Sequence, residues 1–199
     1  MRVAAVVLAA GASTRFGSPK LLATLEGRTV LEHVLEAVRE AGIEETVVVL
    51  GHAADEVEEG IDWLDEHLVR NPDPDLLSSS LQVGLAAAAD LDPPVRAAVV
   101  LLGDQPRVRP EVIHGLISAA RSSEEPVVVP DYAAGGGSNP VVIRREAFDL
   151  ADEANGDRGL GPLLEGRRDL VHHVAFSGSN PDVDTPDDLA ALEEPGATD

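Results

Sequence analysis

Between Val3 and Phe176 the chain alternates short, almost wholly apolar runs with longer segments whose apolar residues recur every three or four positions. The runs Val3 to Leu8, Thr46 to Leu50, Val95 to Leu102 and Pro126 to Pro130 predict strands buried on both faces. Thr29 predicts the cap of a helix running to about Ala41, with Leu31, Val34, Leu35 and Val38 on one face and Gly42 as its end. Ala54 to about Glu66 reads as an acidic helix with Val57, Ile61 and Leu64 on one side, and Trp63 as a packing residue. A serine of Ser78-Ser79-Ser80 is expected to cap the alanine-rich helix that follows. Further helices are predicted over Pro110–Arg121 and near Glu146–Glu153. The last one is capped by Thr185, with Pro186 at its first position. Leu68–Arg70, Val141–Ile143 and Leu170–Phe176 complete the strands.

Strands alternating with helices predict an α/β fold: a single-domain open, mostly parallel sheet with helices on both faces, over residues 1–199. Neither a repeat nor a linker divides the chain. Composition narrows the core, because only 3% of residues are aromatic and the interior must be built from Val, Leu, Ile and Ala. The absence of cysteine excludes a disulfide scaffold and a thiolate metal site. The apolar run near the start has no basic leader, and nothing approaches a membrane span, so a cytoplasmic protein without a membrane partner is expected.

Charge changes the picture more. A formal net charge of −21, from 36 acidic and 15 basic residues, excludes a nucleic-acid partner. The carboxylates are scattered and lysine is nearly absent, which points to a halophilic protein adapted to a salt-rich cytoplasm. At ~1 M salt the Debye length is about 3 Å, and self-repulsion is screened.

The one lysine, Lys20, lies in the stretch Ala9-Ala10-Gly11-Ala12-Ser13-Thr14-Arg15-Phe16-Gly17-Ser18-Pro19-Lys20, directly after the first strand. Small residues, glycines and two spaced cations suit a loop wrapped around phosphates. Five residues separate Gly11 from Gly17, and Ser-Pro precedes the lysine, so this is not a Walker A loop. Asp104 follows the most apolar strand on the same rim, where ligands of open α/β sheets bind. A carboxylate there can hold Mg²⁺, which takes one or two carboxylates plus phosphate oxygens and waters. Asp184 and Asp182 are the candidates for a second carboxylate. His172 and His173 fall on opposite faces of a strand and cannot share one metal.

Leu8 to Leu22, read as L-A-A-G-x-S-x-R-F-G-x-P-K-L-L, resembles the signature loop of the MobA-like NTP transferases, nearest to the molybdenum cofactor cytidylyltransferases. Gly-Asp-Gln-Pro at 103–106 and Asp-Val-Asp-Thr-Pro at 182–186 are similar to motifs of the same family. The resemblance implies a Rossmann-like nucleotidyltransferase fold in which Leu8, Ala9, Ala10, Gly11 and Ser13 hold the nucleotide. Arg15 and Lys20 would balance charge as pyrophosphate leaves, with Asp104 binding the metal. It also implies that Ser79 and Ser80 contact the base, that Asn139, within Gly137–Pro140, contacts the acceptor, and that Arg158 meets the acceptor phosphate. Asparagine at 139 is more typical of the guanylyl branch, where the cytidylyl branch has histidine.

The reaction so implied joins the nucleotidyl group of a nucleoside triphosphate, CTP or GTP, to a phosphorylated acceptor, molybdopterin by resemblance. Contact with a molybdoenzyme or accessory protein could follow. Ala10, where the guanylyl branch has glycine, narrows the space beneath the base and favours CTP. A sugar phosphate or another phosphorylated metabolite as acceptor, or a non-catalytic nucleotide-binding accessory protein, remain open alternatives.

Overall fold

In the computed structural model, which describes residues 1–135, 137–154, 156 and 159–193, one seven-stranded sheet carries the chain. β1 (Val3–Ala9) is followed by a two-stranded hairpin, β2 (Thr24–Leu25) and β3 (Arg28–Thr29), and then by α1 (Val30–Glu40). Next come β4 (Glu45–Leu50), α2 (Ala54–Gly60), β5 (His67–Arg70), α3 (Leu77–Ala89), β6 (Ala97–Leu102) and α4 (Pro110–Ser122). β7 (Val127–Tyr132), β8 (Val141–Arg144), α5 (Leu150–Glu153), α6 (Gly161–Gly166), β9 (Val171–Phe176) and α7 (Pro186–Glu193) complete the fold.

The strand order is β5-β4-β1-β6-β8-β7-β9. β1 is central, parallel to β4 on one side and β6 on the other, with Val6 facing both Val47 and Val100. Only β8 runs against its neighbours β6 and β7. The apolar runs are continuous because both faces of these strands are covered. The two-residue period of the strands divides the core. Ala5, Val7 and Ala9 point to the layer containing α1 and α4, while Ala4, Val6 and Leu8 point to the layer containing α3. Each fully buried Val or Leu stabilises the fold by roughly 1.5–3 kcal/mol.

α1 begins with a capping box. The Thr29 hydroxyl accepts from the Glu32 N–H, and the Glu32 carboxylate accepts from the Thr29 N–H at 2.7 Å. Thr185 and Asp188 repeat the device before α7, with the Thr185 N–H donating to the Asp188 carboxylate at 2.8 Å.

Three expectations are corrected. The helix predicted to about Glu66 stops at Gly60, and Ile61 is extended and buried. Glycine is a poor helix former, and the Trp63 indole N–H satisfies the Glu58 carbonyl at 2.9 Å as the chain turns away. Leu64 is consequently 69% exposed rather than on an apolar face. None of the three serines caps α3, whose N-cap is Leu76; they lie inside its first turns. The helix expected near Glu146–Glu153 is a 3-10 turn over Arg145–Ala147 and then the single turn of α5.

Candidate functional site

The site lies at the carboxyl ends of β1 and β6. Leu8, Ala9 and Ala10 are buried, and the chain emerges at Gly11. Ser13 takes a left-handed backbone conformation (φ 52°), and its carbonyl accepts from the N–H groups of Phe16 and Gly17 at 3.0 and 3.2 Å. Its hydroxyl accepts from the Lys20 N–H at 3.2 Å, so the loop is closed on itself. Phe16 packs against the cluster of Leu25, Val183 and Leu192, which joins the loop to α7.

That closure delivers the lysine to the end of β6. Lys20 Nζ lies 2.5 Å from Asp104 Oδ2 and 2.9 Å from Asp184 Oδ1, and Arg15 stands 2.9 Å from Asp184 Oδ2. Burial pulls the Lys20 ammonium down, but the charges and hydrogen bonds of Asp104 and Asp184 outweigh it and leave its pKa raised. Burial likewise pushes Asp184 up, and Lys20 and Arg15 more than reverse that, holding it below the usual carboxylate range. Asp182 is pushed up, by burial first and then by the charge of Asp104. Asp104 Oδ1 is buried without a hydrogen-bond partner.

The C-terminal segment is locked onto β6 by buried amides. The Asp104 carbonyl accepts from the Val183 N–H at 2.9 Å. Gln105 Nε2 donates to Asp182 Oδ1 at 2.7 Å, while Asn180 Nδ2 donates to Gln105 Oε1 at 2.9 Å and to the Asn139 carbonyl at 3.2 Å. That carbonyl also accepts from the Tyr132 hydroxyl at 3.0 Å. Burial pushes the Tyr132 phenol up to about 12, so it stays a donor.

A cavity of about 340 Å³ runs from these carboxylates past Ala10 and Gly11 to His52, Asp75 and Ser80. The His52 ring stands 3.2 Å from the Ala10 carbonyl and 3.0 Å from Asp75 Oδ1, bracing the far end. A second hollow of about 400 Å³ shares Leu8, Leu77, Leu102 and Asp182 with the first and extends to Ser138, Asn139 and Val141.

The structure therefore gathers Arg15, Lys20, Asp104 and Asp184 into one charge cluster and sets Asp182 at the junction of the two hollows. Ser80 lines the first hollow, whereas Ser79 is engaged with Asn71 and with the Asp73 carbonyl at 2.6 Å. Asn139 lines the second, and Arg158 lies outside the described residues. Sequence reasoning missed the roles of Gln105, Asn180, His52 and Asp75. His52 carried a signal, since it follows a glycine at the carboxyl end of a buried strand, and Gln105 lay within the Gly-Asp-Gln-Pro stretch.

Among the described residues no three acidic, histidine or cysteine side chains are gathered closely enough to hold a metal by themselves. Mg²⁺ needs fewer, taking one or two carboxylates and completing its shell with phosphate oxygens and water. Asp104, with its bare buried oxygen, and Asp184 or Asp182 fit that demand.

Residues 5–174 match the MobA-like NTP transferase domain. The chain belongs to that family. Solved structures agree with the assignment over almost the whole chain. Rv0371c from Mycobacterium tuberculosis H37Rv is 33% identical with a TM-score of 0.85, covering 98% of this chain and 99% of that one. A second structure of Rv0371c, a complex with manganese, is 32% identical with a TM-score of 0.81 over 96% and 98% of the two chains. The nucleotidyl transferase Mth528 of Methanothermobacter is 29% identical with a TM-score of 0.77, over 96% of each chain. Among curated relatives, the bifunctional protein GlmU of Desulfitobacterium hafniense strain Y51 is 37% identical over 116 residues, 57% of this chain. The match spans only 24% of that relative's length. The family is one of nucleotidyltransferases, and among the described residues no helix is long and apolar enough to cross a membrane.

Proposed function

We propose that this protein transfers a cytidylyl group from CTP, in preference to GTP, to the phosphate of molybdopterin and releases pyrophosphate. The observation that carries the reading is the cluster of buried Lys20 with half-buried Asp104 and Asp184, beside a cavity walled by the small-residue loop. An acceptor phosphate oxygen attacks the α-phosphorus, and the bond to the bridging oxygen breaks with its electrons leaving on pyrophosphate. The nucleophile is already ionised, so the protein must position the groups and neutralise charge rather than remove a proton. Lys20 and Arg15 supply cations for the departing phosphates. Asp104, with Asp184 or Asp182, would hold Mg²⁺, which supplies further neutralisation when bound.

The acceptor reading rests on the family resemblance and on the second hollow. Its floor of Leu81, Val100, Leu102 and Val141 suits the flat heterocycle of a pterin better than a ring of hydroxyl groups. The CTP reading rests on Ala10, which is buried and lines the first cavity. One methyl discriminates by only about 1–3 kcal/mol, so CTP should be favoured roughly 10- to 200-fold. Pyrophosphate release with each nucleotide and candidate acceptor tests the reaction, and direct competition of CTP with GTP tests the base. Ala10→Gly should relax the choice. Equal use of the two, or a preference for GTP, would refute the cytidylyl assignment and leave nucleotidyl transfer intact.

A further inference from the structure

Lys20 occupies an unusual place for a group expected to meet phosphate. Its ammonium does not point into the open cavity but bridges Asp104 and Asp184 at 2.5 and 2.9 Å, and the residue is 8% exposed. The second oxygen of Asp184 is taken by Arg15, and the second oxygen of Asp104 is buried and bare. The position between two carboxylates is where a divalent cation would gain most, and it is already filled by a positive charge of the chain itself. A cation arriving alone must displace Lys20 from both carboxylates at once, leaving it only Asp182, already held by Gln105, among the nearby anions of the cavity. A cation arriving with a triphosphate faces no such cost, because the phosphates give both Lys20 and Arg15 new anionic partners.

We propose that Lys20 is a built-in counterion that closes the metal site of the free protein, and that a nucleotide triphosphate opens the site by drawing Lys20 away. This rests on the nucleotidyltransferase reading above. It assigns Lys20 two positions: on the carboxylates before binding, and on the phosphates afterwards. Metal and nucleotide then bind cooperatively, and by reciprocity each raises the affinity of the other. The arrangement neutralises two carboxylates in a protein whose 36 acidic residues face only 15 basic ones.

The first test is titration of Mn²⁺ alone, read by loss of the free-ion paramagnetic resonance signal, into the wild-type protein, Lys20→Met and Arg15→Ala. Lys20→Met should bind Mn²⁺ roughly tenfold or more tightly than wild type, and Arg15→Ala should gain much less, because Arg15 touches only one carboxylate from outside. Equal gains in the two variants, or none in Lys20→Met, would overturn the proposal. The second test needs no variant. Lys20 is the only lysine in the chain, so lysine labelled with ¹³C and ¹⁵N gives one side-chain resonance set. Millimolar Mg²⁺ alone should leave that resonance in place, and Mg²⁺ with a non-hydrolysable CTP analogue should move it. Movement with Mg²⁺ alone would also overturn the proposal. If no nucleotide binds in the presence of Mg²⁺, the reading of the function fails instead, while the Mn²⁺ comparison still judges the role of Lys20.

Discussion

β1 and β4 lie side by side in the sheet, and the turns that follow them make opposite demands on glycine. After β4 the chain turns at once across its neighbour, and a Cβ at Gly51 would stand 2.5 Å from the Ala10 carbonyl oxygen. After β1 the chain departs into a long loop, and a Cβ at Gly11 would meet nothing within 4 Å. Gly51 is required by packing. Gly11 is not, and the space it leaves is a wall of the cavity that holds the charge cluster. Adjacent turns on one rim thus separate a glycine required by packing from one that leaves open space beside the charge cluster.

The largest effect should come from the loop side of this contrast. Lys20→Ala and Asp104→Ala are expected to keep the fold and to lose about 2.7–4 kcal/mol of transition-state stabilisation, a hundred- to a thousandfold in rate. Pyrophosphate release measured beside a circular-dichroism melt checks both halves. A folded Asp104→Ala protein turning over at nearly the normal rate would remove the metal from this site.

The glycines themselves sharpen the contrast. Gly51→Ala forces the β4 turn away from β1 and should cost about 1–3 kcal/mol of stability, as overpacking does. For a chain of this size each kcal/mol is about 2–4 °C in melting temperature. Gly11→Ala should leave the melting temperature within about 1–2 °C of wild type, the range of a neutral surface change. Its nucleotide affinity, measured by calorimetry, should fall roughly tenfold if the methyl enters the space proposed for the phosphates. Reversal of the two results would mean that the open space at Gly11 serves nothing.

Features written in neighbouring residues were legible in the sequence, and features made by distant ones were not. The buried strands announced themselves as unbroken apolar runs, and Thr29 and Thr185 as caps, because a capping box spans only four residues. Lys20 and Asp104 stood out as a lone cation and a strand-end carboxylate, although 84 residues separate them. The serines of α3 misled because capping is judged locally, whereas Ser80 is settled by Asn71, itself buried under the end of β4. Leu64 fitted a helical period, but the chain had already left the helix at Gly60. The Gln105–Asn180 exchange joins residues 75 apart through two amides, a residue type with no local signature.

The smallest effect concerns the rest of the surface, where charge acts at long range. Away from the site, several arginines are paired with carboxylates: Arg2 with Glu45, Arg39 with Glu66, Arg70 with Glu58 and Arg107 with Glu26. Salt weakens such pairs, and the most exposed of them, Arg70 with Glu58, contributes little. The unpaired excess is larger, since 36 acidic groups face 15 basic ones and the difference of 21 charges repels across the whole surface. Because the Debye length falls from about 10 Å at 0.1 M to 3 Å at 1 M, repulsion between distant carboxylates is screened more completely than attraction within a contact. Stability should therefore rise with KCl well past the physiological range, with a gain on the order of 1–2 kcal/mol and a melting temperature higher by about 2–8 °C at molar salt. A melting temperature that stays flat or falls from dilute buffer to molar KCl would show that the ion pairs, not the excess charge, govern the surface.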